Sequence, residues 1–135
     1  KKEWERGVHK MREFLCLLNE NGVNLIVGSD SPAQSVTPGF SMIQEMQQWV
    51  LSGLPKIDVL KAATANPARL MGREKTSLLS EGSRADLILL DKNPLEDFRV
   101  LLSNEKEVIC RGKSVPRPNL KQAFVEKIRR ESEGR

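Results

Sequence analysis

The chain opens with a helical pattern of apolar residues followed by a short apolar run. The apolar positions recur every three or four residues, at Trp4, Val8, Met11, Leu15 and Leu18. This spacing puts them on one helical face and predicts a helix from about Glu3 to Asn21. Gly22 stands where a left-handed cap would end that helix. Val23 to Gly28 is mostly apolar and partly β-branched, which predicts a strand of a parallel sheet covered on both faces.

Three more helices are predicted after a loop. Residues 31–39 include two prolines, two serines and a threonine, which is typical of a loop. Ser41 to Gln44 has the capping-box pattern that opens a second helix. A third helix is predicted from about Pro55 to Ala65, and Asn66-Pro67 is interpreted as the cap and first residue of a short fourth helix. The first helix and strand are typical of a repeat in which helices and strands alternate. Three helices in succession do not follow that alternation, so this region is not expected to be another repeat of the same kind.

The remainder of the chain has the pattern of a small sheet and a tail. Ala85 to Leu90 is predicted to be a strand. Val108 to Cys110 and Lys113 to Val115 flank Arg111-Gly112, which predicts a two-residue hairpin. Residues 119–133 are charged, with apolar residues at helical spacing, and predict a C-terminal helix whose role the sequence does not indicate.

Composition narrows the class of protein. The 135 residues include 22 Lys and Arg against 18 Asp and Glu, and only 4% are aromatic, with no Tyr. This mixed charge without a basic stripe disfavours a nucleic-acid binder. No apolar run approaches the roughly 20 residues that a membrane helix needs, so we expect a cytoplasmic protein that does not enter a membrane. Cys16 and Cys110 are expected to be buried, reduced thiols.

Asp30 is the main functional candidate. It follows the predicted strand directly, and α/β barrels place catalytic groups at the carboxyl ends of their strands. Gly28 and Ser29 are small enough for a ligand to approach. An Asp after a strand is also a common turn or capping residue, and position alone does not decide between these interpretations.

A resemblance to a known family favours the functional interpretation. The segment from Val23 to Ser31 is similar to the eighth barrel strand of the amidohydrolase superfamily, in the branch with imidazolonepropionase-like and prolidase-like hydrolases. Further segments resemble the C-terminal part of that family in the same order, at Pro38–Ser41, Leu60–Arg69, Glu81–Asp91, Asn93–Asp97 and Val108–Gly112. The resemblance covers about Gly7 to Val115 and implies that Asp30 is the metal-site aspartate of the family.

The resemblance also implies a mechanism. One or two divalent metals, usually zinc, would activate a water, and Asp30 would bind metal and take the proton of that water. The substrate would be a small molecule with an amide or cyclic amide C–N bond, including proline-containing dipeptides. Family members supply further histidine ligands, but His9, the one histidine here, matches none of them and is interpreted as a surface residue. One aspartate cannot hold catalytic zinc, so the chain alone is expected to be inactive.

The expected fold is therefore α/β. Residues 1–73 would be the last helix, last strand and following helices of a (β/α)8 barrel, residues 74–116 part of a small β-sandwich domain, and residues 117–135 a charged helix.

Because the chain starts without Met inside a predicted helix, we expect a truncated hydrolase. The alternative is a non-catalytic interaction module of the same family, in which self-association covers the unpaired strand edges. A homo-oligomer is expected.

Overall fold

The computed structural model describes residues 2–33, 36–103, 106–116 and 129. It has four helices, α1 (Lys2–Glu20), α2 (Phe40–Leu51), α3 (Lys56–Ala63) and α4 (Ala65–Leu70), followed by a small sheet. Short 3₁₀ turns lie at Glu74–Thr76 and Phe98–Leu102. The α/β class predicted from the sequence is confirmed. The predicted C-terminal helix at 119–133 lies outside the described residues, apart from the helical Arg129.

The sheet has three antiparallel strands, and their order in the sheet is the same as their order in the sequence. They are β1 (Leu87–Leu89), β2 (Glu107–Cys110) and β3 (Lys113–Ser114). Leu87 pairs with Ile109, and Cys110 pairs with Lys113. The predicted hairpin is confirmed.

The hairpin turn consists of Arg111 and Gly112, which both have positive φ, at 52° and 75°. This is the type I′ pattern, whose twist matches that of the flanking strands. The Gly112 N–H also donates a 2.9 Å bond to the carbonyl of Ala85, so the turn is joined to the residues that lead into β1.

α1, α2 and α4 end as predicted, α3 ends at Ala63 and not at about Ala65, and α2 and α4 begin differently from the prediction. α1, α2 and α4 all close with the same pair of reversed hydrogen bonds around a glycine of positive φ, the Schellman arrangement. Ser41 was expected to cap α2, but the residue before the helix is Gly39. Ser41 lies inside the first turn of α2, where its hydroxyl accepts a 2.9 Å hydrogen bond from the N–H of Thr37 in the preceding loop. Likewise Thr64, not Asn66, precedes α4.

The hydrophobic core joins the helices to the second 3₁₀ turn. Its buried side chains are Val27, Ile43, Met46, Leu54, Val59 and Phe98. Phe98 comes from the turn between β1 and β2 and is only 3% exposed. The Lys56 ammonium at the start of α3 adds a 2.7 Å bond to the carbonyl of Glu96. The sheet region is therefore joined to the helices by the buried Phe98 ring, by the partly buried Leu101 that packs against the same core, and by Lys56.

Two predictions about burial are wrong in part. Leu15 and Cys16 of α1 pack against the core, but Trp4 and Met11 on the predicted apolar face are 76% and 73% exposed. Within the described residues, nothing covers that flank of the helix. Both cysteines are free, as expected, but Cys110 is exposed and Cys16 half-buried. Cys110 is the last residue of the central strand β2, directly before the hairpin turn, and no second layer formed by the described residues covers it.

Candidate functional site

The candidate site is built on residues 23–30, which we call the Asp30 segment. It leaves α1 through the Schellman cap, in which the Val23 N–H donates to the Leu18 carbonyl and the Gly22 N–H to the Asn19 carbonyl, both at 3.1 Å. From Val23 to Asp30 the chain runs without helix, turn or bend. The predicted strand is not formed in the described residues, because no neighbouring strand pairs with it.

Helices α3 and α4 hold one edge of the Asp30 segment. The Val27 side chain is buried in the core, and its N–H donates a 3.1 Å bond to the carbonyl of Ala62, in the last turn of α3. That carbonyl belongs to the four at a helix end that lack a partner within the helix. The Asn66 side-chain amide donates a 2.8 Å bond to the carbonyl of Leu25. Asn24 completes this edge with a 3.4 Å bond from its side-chain amide to the Asn66 carbonyl.

The other edge of the segment has no hydrogen-bond partner in the part of the chain that the structure describes. The N–H groups of Asn24, Ile26 and Gly28 donate to nothing within the described residues. In an extended chain alternate residues point their N–H and C=O groups to the same side, so these three groups form one continuous edge. An apolar segment with an open edge is suited to receive another strand.

Asp30 lies at the end of this segment with an exposed side chain. Its φ is 52°, in the left-handed region, where Asp is several-fold enriched among residues other than glycine but still uncommon. The next residue, Ser31, has a hydroxyl oxygen that is buried and makes no hydrogen bond to any described residue. The end of the segment thus combines a backbone conformation of raised energy with a buried polar atom lacking a partner.

The described residues do not assemble a complete metal site. No group of three or more His, Cys, Asp or Glu side chains that could hold an ion occurs among them. His9 lies on α1, 3.3 Å from the Glu13 carboxylate one turn away, and both side chains are largely exposed. The interpretation of His9 as a surface residue is confirmed. Asp30 offers one hard oxygen ligand, but zinc centres use about three protein ligands or more, so any others would lie elsewhere.

The carboxyl groups with shifted pKa values lie in the sheet region. The pKa of Asp86 is lowered from 3.8, first because the Arg111 N–H donates a 2.7 Å bond to it and also because of the adjacent Arg84 guanidinium. The pKa of Asp97 is lowered by hydrogen bonds from the Arg99 side chain and backbone N–H. Both pairs fix local turns and form no common site with Asp30.

Sequence reasoning identified Asp30 but missed the residues that hold its segment. Asn66 was interpreted as a helix cap, and Asn24 was not singled out. Their contacts join positions 41 and 42 residues apart in the chain. The only sign of these contacts in the sequence is Asn24 itself, a polar residue within an otherwise apolar run.

No helix in the described part of the chain has the length and apolar character needed to cross a membrane.

Comparisons with known proteins agree on one family. A sequence model of the Amidohydrolase family matches residues 5–115. Ochratoxinase from Aspergillus niger is 38% identical over 82 residues, covering 58% of this chain and 16% of that protein.

Solved structures of prolidase type resemble the same region. One, from Bifidobacterium longum and assigned as a prolidase, is 33% identical with a TM-score of 0.71, covering 80% of this chain and 26% of that one. A Xaa-Pro dipeptidase with methionine bound in its active site is 27% identical with a TM-score of 0.65, covering 78% and 25%. The chain thus spans about a quarter of these structures and 16% of the ochratoxinase.

Proposed function

This chain belongs to the amidohydrolase family, and we propose that it is the C-terminal segment of a metal-dependent hydrolase of C–N bonds. Residues 1–73 would contribute the last helix, last strand and following helices of a (β/α)8 barrel. Residues 74–116 would form part of a small β-sandwich domain, and residues 117–135 a tail. The chain alone would be inactive because it supplies one of several metal ligands.

The observation that carries the proposal is the Asp30 segment itself. An apolar run that is open along one edge, and is held along the other by isolated hydrogen bonds from α3 and α4 among the described residues, supports a barrel strand whose neighbouring strands lie outside this chain. Asp30 would then lie at the carboxyl end of that strand, where barrel enzymes place their catalytic groups. Its exposed carboxylate leaves both oxygens available.

Asp30 would have two roles in the complete site. Its carboxylate is a hard oxygen ligand for zinc or another divalent ion. A bound divalent metal supplies a water whose pKa is low enough to give hydroxide near neutral pH. The Asp30 carboxylate would accept a proton from the attacking water and pass it to the leaving nitrogen, as a general base and then a general acid.

The substrate class is proposed from the relatives. The solved structures that resemble this chain are described as a prolidase and as a Xaa-Pro dipeptidase. We therefore include dipeptides with a proline nitrogen among the candidate substrates, beside other small amides. Most of the side chains that would select among them would lie on loops outside this chain.

The test begins with the coding DNA upstream of Lys1. We expect an open frame that continues for several hundred codons, on the basis that the similar structures are about three times as long as this chain. The protein from that frame should contain zinc and hydrolyse Xaa-Pro dipeptides or related amides. A stop codon close upstream of Lys1 would contradict the proposal.

Substitution of Asp30 then tests its role in that protein. Asp30→Asn keeps the shape but removes the proton acceptor, and should lower kcat/KM at least about a hundredfold. Asp91→Asn is the matched control, because Asp91 is another exposed carboxylate without a partner among the described residues. Equal activity in the two variants would refute the role of Asp30.

A second candidate is a non-catalytic interaction module. The exposed apolar flank of α1, with Trp4, Met11 and Phe14, favours it, because an uncovered stripe of this kind marks an interaction surface. The 135-residue chain, expressed without metal, would then form one stable oligomer in sedimentation equilibrium. A monomer, or a continuous aggregate series, would argue against this candidate.

A further inference from the structure

Ser31 carries a buried polar atom without a hydrogen bond. Its hydroxyl oxygen is shielded from solvent, and in the part of the chain that the structure describes it is the one buried side-chain N or O atom without a partner. A buried hydroxyl without a partner raises the free energy of the folded chain, and native structures contain few such groups. The Ser31 hydroxyl therefore requires a partner that it does not have in this conformation.

Pairing of the Asp30 segment with a neighbouring barrel strand does not supply that partner. The hydrogen bonds of a β ladder join backbone N–H and C=O groups and do not involve side-chain hydroxyls. Asp30 also has φ of 52°, which is far from the extended values of a strand, so a ladder along the segment ends before Ser31. The hydroxyl thus needs a polar group at the end of the segment, outside any ladder.

The Asp30 carboxylate belongs to the residue directly before Ser31 and also lacks a partner among the described residues. We propose that Ser31 is a positioning residue for Asp30, with its hydroxyl donating a hydrogen bond to the carboxylate when that carboxylate binds a metal; this inference rests on the proposed function. Carboxylates that bind metals are themselves hydrogen-bonded by neighbouring groups. A serine hydroxyl donates one such bond, and the two carboxylate oxygens accept about four in all, so acceptor sites remain for the metal and the attacking water.

The two groups do not bond each other in this structure, where the Asp30 side chain is exposed and the Ser31 hydroxyl oxygen is buried. Ser31 as a whole is only half-buried, so rotation of its side chain to another staggered rotamer can bring the hydroxyl toward the carboxylate. The bond then satisfies the hydroxyl and gives the carboxylate one fixed orientation. Ser31 thus acts on the metal site through the orientation of Asp30.

The first test uses the 135-residue chain without metal. Ser31→Ala should leave the midpoint of urea unfolding unchanged or raise it, because the substitution removes a hydroxyl that has no bond to lose. Ser77→Ala is the matched control, since Ser77 is another half-buried serine whose hydroxyl donates a 3.0 Å bond to the Glu74 carbonyl, and this change should lower the midpoint. A lower midpoint in Ser31→Ala would overturn the inference, because the hydroxyl would then already have a partner within the chain.

The second test measures the zinc affinity of the full-length hydrolase by competition with a chelator. Ser31→Ala should bind zinc about tenfold more weakly, because the loss of a group that orients a metal ligand costs about 10–100-fold in affinity. Ser31→Thr keeps the hydroxyl, and Ser77→Ala leaves Asp30 untouched, so both should stay within about twofold of wild type. In Ser31→Ala, kcat should also fall about tenfold, with little change in KM.

The two possible failures are distinguishable. If wild type binds zinc and hydrolyses amides, and Ser31→Ala has the same zinc affinity as wild type, the inference is overturned and the proposed function stands. A wild type that binds no zinc and hydrolyses no amide would refute the proposed function, and the inference with it.

Discussion

The thiol of Cys16 donates a hydrogen bond to the backbone carbonyl of Ser52, with a sulfur–oxygen distance of 3.0 Å. The bond joins the C-terminal part of α1 to the C-terminal cap of α2. The next residue, Gly53, has φ of 111°, and a Cβ built on it would lie 3.4 Å from the Cys16 sulfur. This position therefore needs glycine for its backbone conformation, whereas an added Cβ would meet the Cys16 sulfur at ordinary contact distance.

Gly53→Ala should destabilise the protein by about 1–2 kcal/mol, the usual range for a side chain forced into positive φ. Gly7→Ala is the control, because Gly7 lies within α1 with nothing within 4 Å of an added Cβ. That change should stabilise the protein by about 0.5–1 kcal/mol, since alanine favours a helix over glycine. Urea denaturation measures both changes in stability, and shifts of the same sign would contradict the requirement for glycine at position 53.

Phe98→Ala should cost about 3–5 kcal/mol, the range for truncating a buried aromatic ring. The side chain fills the core shared by Val27 and Val59, so its loss leaves a cavity between the helices and the sheet region. Leu79→Ala is a suitable comparison, because Leu79 is 88% exposed and should change stability by less than about 0.5 kcal/mol. A small effect of Phe98→Ala in thermal unfolding would mean that the ring is not an anchor.

Asp86 should make the stability of the hairpin depend on pH. Its pKa is lowered in the folded chain by the Arg111 N–H and by Arg84, so its stabilising effect is present above the unfolded value near 3.8 and is lost as pH falls through the lower folded value. Asp86→Asn should therefore unfold at a lower urea concentration than wild type at pH 6. At pH 2 the two midpoints should approach one another, and a gap of equal size at both pH values would refute the linkage.

The sequence predicts what depends on neighbours in the chain. The repeat of apolar residues in α1, the glycine after each of three helices and the Arg111-Gly112 turn are local signals, and the structure agrees with them. The strand expected at Val23–Gly28 cannot be predicted from local signals alone, because a strand forms only when it pairs with another segment, and the local pattern does not show whether that segment is present.

The same limit explains what was missed around Asp30. The bond from Asn66 to Leu25 spans 41 residues, and no local pattern distinguishes an amide that contacts a distant backbone from one that caps its own helix. Phe98 is a similar case, since a single aromatic residue after a turn gives no sign that it joins a helical core. Asp30 itself was identified by resemblance, with its position after an apolar run as weaker support.

The open edge of the Asp30 segment also bears on how the protein is made. An unpaired apolar strand edge can pair with another molecule and cause aggregation. The risk of aggregation is greatest during folding, before the neighbouring strand has paired with that edge. If the proposed hydrolase precedes Lys1, its earlier strands leave the ribosome first, because synthesis proceeds from the N-terminus. The Asp30 segment then emerges into a barrel that lacks one strand, and its exposed N–H groups can be paired soon after they appear. Order of synthesis would thus protect the edge that the folded segment leaves open.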